Sequence, residues 1–151
     1  MIETAAPDDV AEIVRITNAA YERGEAGIWR PGWTRTTAEW TAAEVAAGEV
    51  FVARDGGRIA GSIRVVRRDP DTAEFGLLAV APEHQGRGLG RALIDFAERL
   101  HDVACMELEL LIPGVPHAHK QRLHEWYVRL GYAPVGRRLF ADAYPKPAEL
   151  L

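Results

Sequence analysis

The chain has 151 residues, 48% of them hydrophobic and 26% charged, with a formal net charge of -4 and one cysteine. That is one globular domain's worth of chain, 1–151, with enough apolar content for a sizeable core. The balance excludes a disulfide-stapled scaffold and a disordered chain, and speaks against nucleic acid as the main partner.

Met1–Ala5 reads as a short strand, with no basic or strongly apolar leader, so neither membrane insertion nor export is expected and a reducing, cytoplasmic setting is. Pro7-Asp8-Asp9 opens a helix, with Asp9 as N-cap and Glu12 where a capping box would place it. Val10, Ile13, Val14, Thr17 and Tyr21 share one face of that helix, and Gly24 closes it. Glu25–Arg35 is a loop carrying Trp29 and Trp33, either a lid or a wall packed on the core, with packing favoured. Thr36 or Thr37 caps a second helix that runs through Ala47 and stops at Gly48.

Val50–Arg54 and Arg58–Arg67 are strands joined by Asp55-Gly56-Gly57, a hairpin signal. Thr72–Val80 is the third strand of this meander. A glycine-rich turn follows, then a helix with Leu89, Ala92, Leu93, Phe96, Ala97 and Leu100 on one face. Ala104–Ile112 alternates as a strand, Lys120–Leu130 is a helix ended by Gly131, and Tyr132–Phe140 is the last expected strand. The tail, Ala141–Leu151, shows no strand pattern. The order β-α-α-β-β-β-α-β-α-β, with an antiparallel meander and a right-handed parallel crossover, predicts an α/β fold: a mixed, mostly antiparallel central sheet flanked by helices on both faces.

The segment Gln85-Gly86-Arg87-Gly88-Leu89-Gly90-Arg91 is the focus of the functional reading. Glycines admit positive φ and close approach of a ligand to the backbone. The helix that follows offers unpartnered N–H groups and the positive end of its dipole, so the turn suits a phosphate. Its spacing matches neither a dinucleotide-binding fingerprint nor a P-loop.

Gln85-x-x-Gly88-x-Gly90 after an apolar strand and a proline resembles the coenzyme-A signature of the GCN5-related N-acetyltransferases. Glu125-Trp126-Tyr127-Val128-Arg129-Leu130-Gly131-Tyr132 is similar to a second, later family segment, and the predicted element order from Met1 to Phe140 follows the family's. The resemblance implies acetyl-CoA as co-substrate. The backbone of Gln85, Gly86, Arg87, Gly88, Leu89 and Gly90 would hold its pyrophosphate, assisted by Arg87 and Arg91, and main-chain groups near Leu78 and Val80 would pair with the pantetheine. It further implies a general-acid Tyr127 and a general-base Glu74, with Glu109, His117 and His119 as substitutes for the base. Lys120 stands where many members carry a cofactor-contacting asparagine, and would meet a coenzyme-A phosphate or lie exposed. No metal is expected.

The implied reaction is acetyl transfer to a primary amine of a small molecule. A protein N-terminus or lysine as acceptor, and a non-catalytic acyl-CoA-binding module, are the alternatives. The family usually has one more strand after Tyr132–Phe140. Its absence here would leave a shortened sheet, an irregular tail in its place, or an edge covered by a partner such as a second copy of the chain.

Overall fold

The computed structural model describes residues 1–29, 32–140 and 148–150. The chain divides into two compact units, one of residues 1–21 and 34–107, the other of residues 22–33 and 108–151.

The first unit holds a five-stranded sheet in the order β1-β2-β3-β4-β5. Its strands are β1 (Ile2–Thr4), β2 (Val50–Asp55), β3 (Arg58–Asp69), β4 (Thr72–Val80) and β5 (Cys105–Glu107). The first four are antiparallel neighbours, and β5 joins β4 in parallel. Gly56 and Gly57, with φ of 59° and 85°, form the two-residue hairpin between β2 and β3. Both central residues need positive φ if the turn is to follow the strands' right-handed twist.

Helix α1 (Val10–Gly24) and helix α2 (Ala38–Ala46) cover one face. Ile13, Ile16 and Val45 are buried there with Val50 and Val52. Helix α3 (Leu89–Leu100) covers the other face. Phe51 lies between Val50 and Val52, so its ring points to the opposite side of the strand, where it meets Phe96 of α3 at 5.1 Å. The expected mixed sheet with helices on both faces is therefore present.

Local chemistry accounts for most helix ends. Thr37 caps α2, its hydroxyl accepting from Trp40 N–H at 3.2 Å, and Gly48 takes φ of 75° past the helix end. Thr36, the other candidate cap, is buried with its hydroxyl 3.1 Å from that of Thr41. Asp9 is not the N-cap of the first helix. A single 3-10 turn over Pro7–Asp9 precedes α1, and the Asp9 carboxylate reaches back to Ala6 N–H at 2.8 Å and out to Arg54 at 2.7 Å. Glu12 pairs with Arg15 instead of completing a capping box.

The second unit holds a three-stranded antiparallel sheet in the order β6-β8-β7, with β6 at Leu111–Pro113, β7 at Arg138–Phe140 and β8 at Ala148–Leu150. It also holds helix α4 (Ala118–Arg129). Two expectations are corrected here. The alternating stretch Ala104–Ile112 is not one strand: it forms β5 and β6, in different sheets, with Leu108–Leu110 outside both. Alternation registers only which side chains face a core, and is blind to a change of hydrogen-bonding partner partway along. The final strand is not missing either, because Ala148–Leu150 pairs with both Leu111–Pro113 and Arg138–Phe140. Three residues are too few to show a period. Of the expected strand Tyr132–Phe140, only Arg138–Phe140 is extended in a ladder, and the tail residues 141–147 and 151 lie outside the described residues. Among the described residues no helix is long and apolar enough to cross a membrane.

Candidate active site

In the first unit, β4 delivers the chain to the glycine turn. Ala81 is buried and donates its N–H to Ala60 O at 2.8 Å, closing the strand. One 3-10 turn, Pro82–His84, then reverses the direction, and the Gln85 side-chain amide returns to Val80 O at 3.3 Å. Gly86 and Gly88 both adopt φ of 78°. A β-carbon at either would meet nothing within 4 Å, so conformation and not space requires glycine at both. Gly88 is the N-cap of α3 and accepts from Ala92 N–H at 3.0 Å. The N–H groups of the first turn have no intrahelical acceptor and carry the positive end of the dipole.

Residues Gln85–Gly88 are exposed, and so are Arg87 and Arg91, the latter 3.5 Å from Asp95 one helical turn on. Leu89 and Gly90 are half-buried, so Gln85, Gly86, Arg87, Gly88, Leu89, Gly90 and Arg91 form a largely exposed turn with two arginines beside a helix N-terminus. His84, which sequence reasoning passed over, pins this turn to the hairpin by donating Nε2–H to Asp55 at 2.9 Å.

Upstream of the turn β4 is bulged. Ser62 pairs with Ala79 and Arg64 with Gly76, so Leu77 and Leu78 together oppose Ile63. Leu77 has φ of 49°, a left-handed conformation costing roughly 1–2 kcal/mol for a residue with a β-carbon. Nothing in the sequence marks it. On the other edge, the parallel ladder runs only from Thr72–Glu74 to Cys105–Glu107. The main chain at Leu78 and Val80 thus lies past the end of that ladder, and both residues are half-buried. Strand edges of this kind accept an extended ligand by backbone hydrogen bonds.

Glu74 stands at the last rung of that ladder. Its register partner is Glu107, so the two carboxylates share one face, and Arg68 lies 3.1 Å from Glu74. Neither neighbour was part of the sequence reading of Glu74.

In the second unit, Tyr127 lies on α4 and is buried, its ring packed on Trp126 at 5.1 Å and edge-on to Tyr132 at 6.1 Å. Lys120 is neither exposed nor set at the surface for a phosphate. It is buried, and its ammonium lies 2.6 Å from the Glu25 carboxylate, whose second oxygen accepts from the Trp29 indole at 2.7 Å. Trp29 stacks on Trp33 at 4.3 Å and packs with the buried Ile28 and Leu111. The tryptophan loop is therefore a packed wall as far as it is described, which leaves out Arg30 and Pro31.

Two of the three substitute bases are engaged by hydrogen bonds. Glu109 is outside the strand and held by Arg138 at 2.8 and 3.1 Å. His117 caps α4: its Nδ1 accepts from Lys120 N–H at 3.3 Å while Nε2 donates to Ala26 O at 3.0 Å. His119 lies against Gly24, where a β-carbon would come within 2.9 Å of its Nε2. Burial, then the charges of Lys120, Arg122 and His117, hold the His119 pKa below the usual imidazole range against the opposing pull of Glu25. Among the described residues no cluster of histidine, cysteine or acidic side chains is arranged to hold a metal.

The family model described as "Acetyltransferase (GNAT) domain" matches residues 46–134, a span that includes the meander, the glycine turn and α4. The chain belongs to the GNAT acetyltransferase family. Two curated relatives are mycothiol acetyltransferases. That of Tsukamurella paurometabola is 33% identical over 139 residues, covering 85% of this chain and 46% of the relative. That of Gordonia bronchialis is 33% identical over 150 residues, covering 92% and 44%. The chain thus spans under half the length of these relatives. Among solved structures, the PaiA N-acetyltransferase of Thermoplasma acidophilum, in complex with coenzyme A, superposes with a TM-score of 0.70 at 15% identity, over 99% of this chain and 96% of that one. At that identity the likeness shows the GNAT fold alone.

Proposed function

We propose that this chain transfers the acetyl group of acetyl-CoA to a primary amine of a small molecule. The observation that carries the reading is the pair Gly86 and Gly88, both at φ of 78°, immediately ahead of the first turn of α3. The turn's backbone N–H groups, with Arg87 and Arg91, would hold the pyrophosphate, and the main chain at Leu78 and Val80 would take the pantetheine amides. The names of the mycothiol acetyltransferases support a small-molecule acceptor over a protein one.

Acetyl-CoA supplies the activated thioester. The rest is proton handling by this chain. An alkyl amine with a pKa near ~10 arrives protonated and must lose a proton before it attacks. Glu74 is the base in this reading, directly or through one water, worth about 10²–10⁴-fold in rate. Tyr127 is the proton donor to the departing sulfur. Lys120, committed to Glu25, takes no part in binding the cofactor.

The test is free-thiol release from acetyl-CoA across a panel of small amines, amino acids and peptides, alongside a binding titration. Turnover on small amines supports the proposal, and turnover on peptides alone replaces the acceptor class. Acetyl-CoA binding without turnover on any acceptor makes the chain a binding module.

A further inference from the structure

On the α1/α2 face of the first unit a small pocket with apolar and polar walls opens beside the β4 bulge. Thr17, Glu44, Ser62, Arg64 and Leu77 are among its lining residues, and its floor has room for a group about the size of one water molecule. Two features set it apart from an ordinary gap in a core.

The first is an unanswered hydroxyl. Ser62 is only 1% exposed, and its Oγ has no hydrogen-bond partner. A buried hydroxyl without a partner is costly, so its lone pairs and proton are directed at something that enters.

The second is charge. Arg64 Nε lies 3.0 Å from Glu44 Oε2 but off the line of a hydrogen bond, while Nη2 of the same guanidinium is 3.1 Å from Glu49. One cation faces two carboxylates, so a negative charge is left over at the pocket wall. Glu44 is largely buried, with its side chain 16% exposed. Burial, countered by Arg64 and reinforced by Glu49, pushes the Glu44 carboxyl above the usual range.

The walls are also pre-set. Asn18 of α1 brackets Thr36 through both its backbone N–H, at 2.9 Å, and its carbonyl, at 3.1 Å. That fixes the approach to α2 and to Glu44.

We propose that this pocket receives the primary ammonium head of the acceptor, with the Glu44 carboxylate as counter-ion and Ser62 Oγ as hydrogen-bond acceptor. A compact ammonium fits the floor, brings three donors and supplies the missing positive charge. A quaternary ammonium fits neither the size nor the donor requirement. The inference deepens the proposed function and rests on it for one step: Leu77, which lines the pocket, adjoins the β4 residues proposed to carry the pantetheine.

The experiment uses methylammonium chloride as binding probe and n-butylamine as acceptor, with wild type, Glu44→Gln and Ser62→Ala. Methylammonium should raise the wild-type Tm above that in sodium chloride or tetramethylammonium chloride of equal ionic strength, and the effect should disappear in Glu44→Gln. KM for n-butylamine should rise about tenfold in Glu44→Gln and a few-fold in Ser62→Ala, the scale of one charged and one neutral hydrogen bond. In both variants acetyl-CoA affinity should stay within about twofold, since neither residue belongs to the glycine turn proposed to hold the cofactor. Ser62→Ala removes a single oxygen and keeps the inference falsifiable should Glu44→Gln fold poorly.

No methylammonium-specific shift in wild type, or an unchanged KM in both variants, overturns the pocket and leaves it a site for an ordered water. Methylammonium binding that Glu44→Gln abolishes, with no turnover on any amine, upholds the pocket and overturns the transferase reading.

Discussion

Lys120 and Glu25 form a buried ion pair, their side chains 6% and 2% exposed. Removing one partner strands the other charge in a poorly solvated place, so Lys120→Met should lower the unfolding free energy by about 3–5 kcal/mol, read by urea denaturation. A loss under about 1 kcal/mol, the range of a solvated surface pair, would contradict that picture. His119, the residue before Lys120 on α4, has a depressed pKa, so the folded state keeps it neutral where the unfolded chain binds a proton. The stability this represents is present above the ordinary value of 6.5 and is lost as pH falls through the lowered one. The urea midpoint should therefore drop on acidification below about pH 6.5, and drop less in His119→Gln. At Tyr127 the proposed role is chemical. Tyr127→Phe should cut kcat roughly 10²-fold while leaving acetyl-CoA affinity within about twofold. Unchanged turnover would remove Tyr127 from the mechanism and leave it a packing residue beside Trp126 and Tyr132.

At the scale of elements, three left-handed residues punctuate the passage from β4 to α3. Leu77 at φ of 49°, then Gly86 and Gly88 at 78°, lie within twelve residues that carry the chain from strand to helix. Gly86→Ala should cost about 1–2 kcal/mol of stability through conformation alone, since its β-carbon meets open space. A calorimetric Tm equal to wild type would show that the turn does not hold that conformation. Helix α2 offers a plainer test: Thr37→Ala removes the hydroxyl that accepts from Trp40 N–H and should cost ~1 kcal/mol. The start of α1 is tied to β2 by Asp9 and Arg54. Partial burial pushes the Asp9 carboxyl up, but the Arg54 hydrogen bond, the Ala6 N–H and the Arg54 charge together hold it below its usual value. A lowered carboxyl pKa contributes stability above the unfolded value, 3.8, that is lost as pH falls through the folded one. Asp9→Asn should therefore flatten the acid limb of the stability profile. An unaltered limb would show that the pair contributes nothing.

For the whole molecule, what could be read from the sequence followed how local each cause is. Thr72–Val80 matches β4 end to end, Asp55-Gly56-Gly57 is a hairpin, and Thr37 and Gly48 bound α2, because a few adjacent residues decide each of these. The glycine turn and α3 were legible for the same reason. What stayed hidden depends on distant partners. Ala104–Ile112 alternates without interruption, yet β5 finds β4 while β6 finds β8. Ala148–Leu150 is a strand only because Leu111–Pro113 and Arg138–Phe140 flank it. Lys120 meets Glu25 from 95 residues away. The pocket at Ser62 and Glu44 is likewise absent from the sequence, since the bulge at Leu77 and the ring of Arg64 with Glu44 and Glu49 exist only once the strands and helices have met.

Acetyl-CoA binding at the glycine turn is the step on which the proposed chemistry depends, and titration calorimetry of acetyl-CoA into wild type and Gly88→Val measures it. The expected result is saturable binding to wild type and its loss in Gly88→Val, whose β-branched side chain resists a φ of 78° and would project into the space kept open above the turn. Undiminished binding to a folded Gly88→Val, or none to wild type, would contradict the glycine turn as the acetyl-CoA site.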